Sequence, residues 1–223
     1  RARHVLCNSE ATAREVHMRL RLPLRRLSVL RLGFSPGLLK PMGLQRENFL
    51  LVLGRHDPHK NLARLIRAFA RLPQGEQMLH FVGPHDSRYT PKLQKLAVEL
   101  GIEKRCRFTP WVDNNERLTL LNRATALVMP SLWEGFGLPA LEAMACGTPV
   151  LASTAGALPE VVGAAALPLN PIKIDQMTSA MAQIFNDRCL QLELSKAGPA
   201  RAAQFNWCIT GANLTQRLKE LAN

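Results

Sequence analysis

The sequence predicts a doubly wound α/β domain, in which helices cover both faces of a parallel sheet of about six strands. A remnant of a second domain precedes it and C-terminal helices follow. Three observations lead there. Short apolar runs alternate with helical periods along nearly the whole chain. The runs are rich in Val, Leu and Phe and do not alternate apolar with polar, as expected of strands whose sheet is covered on both faces. The 223 residues, 47% apolar and 21% charged, suffice to fill one such core.

RHVLC opens the chain as a strand, and Asn8 and Ser9 suit the cap of a helix reaching about Leu22. LSVLRLG is the next strand. FSPGLLKPMGLQRE, with Pro36, Gly37, Pro41 and Gly43, reads as a linker over 36–47 and sets residues 1–35 apart as the remnant. From 48 to 205 the rhythm is regular. NFLLVLG leads to a helix at 61–72, QMLHFVG to one at 91–100, and RCRFTPW to one at 115–123. TALVMP leads to 138–146, PVLAS to a short helix at 157–162, and AAALPL to helices that run to the end, the last at 206–223. The chain enters its first strand with no opening Met, as a piece of a longer protein would.

The formal net charge is +12. Half of it lies in residues 1–33, where Arg1, Arg3, Arg14, Arg19, Arg21, Arg25, Arg26 and Arg31 face only Glu10 and Glu15. Such a balance suits nucleic acid, an anionic membrane or a phosphorylated ligand. One Tyr and three Trp leave little for base stacking, and basic and aromatic residues do not interleave, so a solvated or membrane-facing surface is preferred to nucleic acid. No apolar run reaches the length of a membrane span. The five cysteines, Cys7, Cys106, Cys146, Cys189 and Cys208, are scattered without a C-x-x-C pair and read as buried free thiols in a reducing cytosol.

In a sheet of this kind ligands bind at the carboxyl ends of the strands, which directs attention to 54–60, 83–90, 110–114, 130–138 and 153–157. Two of these loops are unusual. In PSLWEGFGLPALEAMACGTPVLAST, Glu134 and Glu142 bracket a Gly-Phe-Gly turn, and Pro139 suits the first turn of a helix that Gly147 ends. The amides of Gly135, Phe136, Gly137 and Leu138 would attract an anion, with the two glycines leaving the backbone open to approach. Two carboxylates flanking such a turn suit a ligand with hydroxyls at both ends and phosphate between. The alternative is that Glu134 caps the helix and Glu142 is a solvated helix residue. In LGRHDPHKN, Arg55 and Lys60 place two cations at a helix entry where a diphosphate would fit, with Asn61 as candidate N-cap. A solvated basic turn is the alternative there. His56 and His59 lack a third metal ligand at a suitable spacing.

GRHDPHKN, FVG and RFTPWVDNNERLTLLNRATALVMPSLWEGFGLPALEAMACGTPVLASTAGALPEVVG together resemble the C-terminal, donor-binding half of the retaining GT-B glycosyltransferases of group 1. The closest look is to the bacterial mannosyltransferases. Glu134 and Glu142 match that group's E-x(7)-E signature, and residues about 48 to 205 carry the likeness. VLCNSEATAREV more weakly resembles the last strand-helix unit of the acceptor domain. Two places depart from the pattern: Ala164, where relatives often have Asp, and the base-side loop WVDNNERL. The resemblance implies that Glu134 meets donor-sugar hydroxyls beside the anomeric centre and that Glu142 binds the ribose. It implies that Arg55 and Lys60 neutralise the diphosphate as it leaves, that the amides of Gly135, Phe136, Gly137 and Leu138 hold phosphate or sugar, and that Trp111 and Val112 line the base pocket through their backbone. Neither a metal nor a separate cofactor is expected. GDP-mannose is the favoured donor and a UDP-sugar the other candidate. The acceptor, a glycan or lipid-linked saccharide in surface-polysaccharide synthesis, would be held by an N-terminal domain absent from these residues. The chain would act in the cytoplasm, with an anionic membrane inner face as a further partner. An epimerase or phosphorylase of the same fold, and a basic nucleic-acid- or membrane-binding module, stand as the rival readings.

Overall fold

The computed structural model describes residues 2–222 apart from 36 and 38, so Arg1, Asn223 and the Pro36 and Leu38 of the expected linker lie outside the described residues. Six parallel strands form the main sheet: β3 (Glu47–Leu53), β4 (Met78–Val82), β5 (Cys106–Thr109), β6 (Ala124–Met129), β7 (Val150–Ser153) and β8 (Leu167–Leu169). Their spatial order is β5-β4-β3-β6-β7-β8. The chain therefore builds outward from β3 to one edge and then returns to build from β6 to the other. β3 and β6 are neighbours at the point where the winding reverses, which is where doubly wound sheets open a crevice.

The central strands show why their sequence does not alternate. In β3, Phe49 and Leu51 enter the core on one face, while Leu50 and Val52 enter the core on the other. In β6, Leu127 and Met129 face one way and Ala126 and Val128 the other. One face is covered by α5 (Leu138–Ala145), α6 (Leu158–Val162) and part of α4 (Asn114–Arg123), through residues such as Leu141, Met144, Val161 and Leu121. The other is covered by α2 (Leu62–Phe69), α3 (Thr90–Glu99) and α7 (Ile174–Asn186), through Leu65, Phe69, Leu93 and Met181. Fully burying one such leucine stabilises the fold by about 1.5–3 kcal/mol, so each strand is anchored from both sides. α2 ends at Phe69, short of residue 72, because Ala70–Leu72 tighten into a turn with Leu72 N donating to Phe69 O at 3.0 Å.

The N-terminal residues form a separate parallel pair, β1 (Val5–Cys7) and β2 (Leu27–Val29), joined by α1 (Glu10–Leu20). Ser9 caps α1, its hydroxyl accepting from Thr12 N at 3.0 Å. After α8 (Arg188–Ala202) the chain turns back, and α9 (Trp207–Ala222) lies against this small sheet. Thr210 Oγ1 donates to Arg31 O at 3.0 Å, and Phe34 N donates to Phe205 O at 3.3 Å. Three of the cysteines are buried as expected, but Cys189 and Cys208 are exposed. They sit near the starts of α8 and α9, on positions that face away from the core. No helix among the described residues is long and apolar enough to cross a membrane.

Candidate functional site

The loops leaving β3 and β6 meet at the crevice, and one side chain ties them together. Asn61 Nδ2 donates to Pro130 O at 2.9 Å and to Pro171 O at 2.7 Å, so three loops at the carboxyl end of the sheet share one amide. This corrects the expected N-cap. Asn61 precedes α2 in the left-handed region (φ 61°) and its side chain makes no capping bond, because it is turned inward to the neighbouring loops. Leu132 N donates to His59 O at 2.8 Å and closes the same junction.

This junction brings Lys60 to Glu134. Lys60 Nζ donates to Glu134 Oε1 at 2.6 Å, and Ser131 Oγ donates to the same oxygen at 2.7 Å. Glu134 is only 8% exposed. It does not cap α5; its carboxylate is turned into a recess lined by Arg55, Lys60, Ser131 and Pro130. Its second oxygen, Oε2, accepts from no described residue. Arg55, at the rim, is exposed. The geometry therefore presents a fixed carboxylate oxygen, a second oxygen at liberty, and two cations around one small space.

Glu142, one turn into α5, is not solvated either. Arg117 Nη1, from α4, donates to both of its oxygens at 3.1 and 3.0 Å. Burial pushes the Glu142 carboxyl above the ordinary glutamate range, against the lowering pull of Arg117. Desolvation wins because the carboxylate is largely enclosed while its single partner reaches toward solvent.

The turn between the two glutamates divides its work. Gly137 has φ 108°, and a Cβ there would lie 2.6 Å from Leu158 Cδ2, so this glycine is demanded by backbone and packing before any ligand is considered. Phe136 is buried in the core and packs edge-on against Phe205, which leaves only its backbone to the site. Gly135 sits under Trp133, and Leu138 is 39% exposed at the start of α5. No described acceptor takes the amides of these four residues. At the end of β5, Trp111 is 74% exposed while Val112 packs against the core. Asp113 caps α4, Oδ1 accepting from Glu116 N at 2.8 Å.

The structure thus gathers Arg55, Lys60, Glu134, Gly135, Phe136, Gly137, Leu138 and Glu142 at two adjoining loops and one helix start, with Trp111 and Val112 on a third loop. His56 is turned away from them: its Nδ1 lies 2.8 Å from Thr90 Oγ1, and burial lowers its pKa. Among the described residues no three His, Cys, Asp or Glu side chains gather as metal ligands. Sequence reasoning missed Ser131, Arg117 and the bridging role of Asn61. Each acts across a gap in sequence or through a loop conformation that no local spacing displays.

Residues 40–201 match the family model described as glycosyl transferases group 1. The chain is 33% identical over 211 residues to the MMP alpha-(1->4)-mannosyltransferase of Mycolicibacterium hassiacum, covering 91% of this chain and 50% of that protein. It is 32% identical over 163 residues to the O-antigen chain mannosyltransferase B of Escherichia coli, covering 72% of this chain and 43% of that protein. Among solved structures, sucrose-phosphate synthase from Thermosynechococcus elongatus has a TM-score of 0.82 at 28% identity, over 99% of this chain and 59% of that one. Anabaena HepE in complex with UDP and glucose shares the fold, with a TM-score of 0.87 at 22% identity over 98% of this chain and 63% of that one. The chain spans half or less of the length of the curated relatives it matches.

Proposed function

Because this chain belongs to the glycosyl transferases group 1 family, we propose that it is the donor-binding half of a retaining GT-B hexosyltransferase. It takes a nucleotide sugar, and the hexose passes to a glycan or lipid-linked acceptor in surface-polysaccharide synthesis. One observation carries the reading: Glu134 Oε1 is held by Lys60 and Ser131 while Oε2 stays unengaged beside Arg55. A carboxylate clamped on one oxygen cannot rotate, so the other is aimed, and a sugar hydroxyl donating to it would be held in one orientation. Lys60 and Arg55 then face the diphosphate. Negative charge grows on the leaving oxygen as the glycosidic bond breaks, and cations already in place stabilise that charge more than the ground state. In this reading the two cations do the work of a metal. Glu142, fixed by Arg117, retains lone pairs for the ribose hydroxyls. The amides of residues 135–138 offer the donor a backbone cradle.

Both curated relatives above are mannosyltransferases by name, which supports mannose as the sugar, and we take GDP-mannose as the favoured donor with a UDP-sugar as the other candidate. With Asp113 engaged as a helix cap, reading of the base falls to the backbone around Trp111 and Val112. Arg14, Arg19, Arg21 and Arg25 are exposed along with Met18, Leu20 and Leu24, a surface suited to an anionic membrane face. Since the chain covers half or less of those relatives, we expect it to bind donor without transferring sugar.

Melting curves of the 223-residue chain with GDP, GDP-mannose, UDP and UDP-glucose test this, with a duplex oligonucleotide at two salt concentrations as control. A ligand at about 100 times its Kd stabilises by about 2.7 kcal/mol, a clear shift. Stabilisation by GDP-mannose that is lost in Lys60→Ala supports the reading. A shift with UDP-glucose alone overturns the donor assignment, and a shift with none but the oligonucleotide overturns the whole reading.

A further inference from the structure

The first turn of α1 is completed by a residue about 150 positions away in the chain. A helix N-terminus leaves its first amides without partners. Here Ser9 takes the amide of Thr12, and the amides of Glu10 and Ala11 donate to Glu160 Oε2 and Oε1, each at 2.9 Å. Glu160 belongs to α6, on the main sheet, while α1 belongs to the small N-terminal sheet. Its backbone is fixed in turn: Arg201 Nη2 donates to Glu160 O at 2.7 Å and Nε to Val161 O at 2.8 Å.

These contacts close a ring around the sugar-facing turn. α6 starts from Ala157, whose amide donates to Glu134 O at 3.0 Å. From the other side, Thr12 Oγ1 of α1 donates to Gly135 O at 3.4 Å. Two consecutive carbonyls, of Glu134 and Gly135, are thus held by two helices, and the Glu160 carboxylate is what joins those helices. Hydrogen bonds to a charged acceptor at a helix N-terminus are the stronger kind, so this is the firm link of the ring, and the long Thr12 bond follows it.

We infer that Glu160 is a positioning residue: seated in the N-terminus of α1, it clamps the small sheet onto the turn that carries Glu134 and sets where that carboxylate points. The consequence for donor binding rests on the function proposed above; the mechanical part does not. Glu160→Gln keeps the size but turns an N–H toward one of the two amides.

The test combines hydrogen exchange of the ligand-free 223-residue chain with 19F spectra of the chain labelled with 5-fluorotryptophan, the Trp133 signal being assigned through Trp133→Phe. In Glu160→Gln, amides 10–11 and the amide of Ala157, which reports on the turn through its bond to Glu134 O, should exchange about five- to thirtyfold faster, and β3 should not change. The Trp133 resonance should shift or broaden, and stabilisation by GDP-mannose should weaken. Thr12→Val, which opens the ring at its other end, should speed exchange at Ala157 while leaving amides 10–11 slow. If amides 10–11 quicken but Ala157 and Trp133 stay as in the wild type, Glu160 caps α1 and does nothing more, and the inference is overturned. If Glu160→Gln does not fold, Thr12→Val decides: unchanged exchange at Ala157 overturns the inference. Should no nucleotide stabilise even the wild type, the donor reading fails, and the exchange and 19F data still settle the clamp.

Discussion

Lys60 and Glu134 lie 74 residues apart in the chain and 2.6 Å apart in space, their side chains 21% and 11% exposed. The pair spans the point where the winding of the sheet reverses, Lys60 entering from the loop after β3 and Glu134 from the loop after β6. A partly buried ion pair is a weak source of stability, but removing one member leaves a charge in a place it does not suit.

Lys60→Ala should therefore destabilise the chain by about 1–3 kcal/mol and also weaken nucleoside diphosphate binding. Adding Glu134→Gln should recover most of the stability and none of the binding. Urea melts and calorimetric titration of the single and double variants measure both. Stability and binding recovered together would show the pair to be only structural.

Arg55→Ala should behave differently. Arg55 is exposed, so stability should stay within about 0.5 kcal/mol of the wild type. Diphosphate binding should still fall by about 1–3 kcal/mol, the loss of one charge-assisted contact. Unchanged binding would remove Arg55 from the site.

Glu142 should leave a mark on the pH dependence of stability. Its folded pKa is raised by burial, so between the ordinary glutamate value and the raised one the folded state holds a proton that the unfolded state has lost. Stability from this group is full below the unfolded pKa and declines as pH rises through the folded one. Arg117→Ala removes the opposing charge, so the decline should run to higher pH; Glu142→Gln should abolish it. Denaturant melts between about pH 4 and pH 8 read the curve. A decline that does not move in Arg117→Ala would contradict the pairing.

Asn61→Ala should cost about 2–3 kcal/mol, since it strips two buried carbonyls of their donor and puts alanine at φ 61°. Asn61→Gly, which suits the backbone, should cost less but still loosen the loops. An Asn61→Gly variant as stable as the wild type would mean that the bridging amide contributes nothing.

The framework was legible in the sequence because burial on both faces writes itself as unbroken apolar runs, as in NFLLVLG and TALVMP, and because a capping residue such as Ser9 acts within three residues of where it stands. The two glutamates and the two cations were legible by their place at strand ends. The contacts that fix them were not. Ser131, Arg117 and Asn61 act through loop geometry, and no period or spacing tells that Arg117 will lie over Glu142 or that Asn61 will turn inward. Gly137 carries a second demand that the sequence did not display: its packing against Leu158 leaves no room for a Cβ. The exposed Cys189 and Cys208 show that a thiol's residue type says less about burial than the helix face on which it falls.

The return of α9 to the first strands has a bearing on how the chain is made. A protein leaves the ribosome N-terminal end first, so the β1-α1-β2 unit emerges before α9. Yet Arg31 receives the hydroxyl of Thr210, Gly33 lies so close to the Trp207 backbone that a Cβ would sit 2.5 Å from its nitrogen, and α1 awaits Glu160. The small sheet thus has its cover supplied by residues synthesised well after it. The six-stranded sheet can close strand by strand as it appears, whereas the small sheet must wait for its cover until α9 is released.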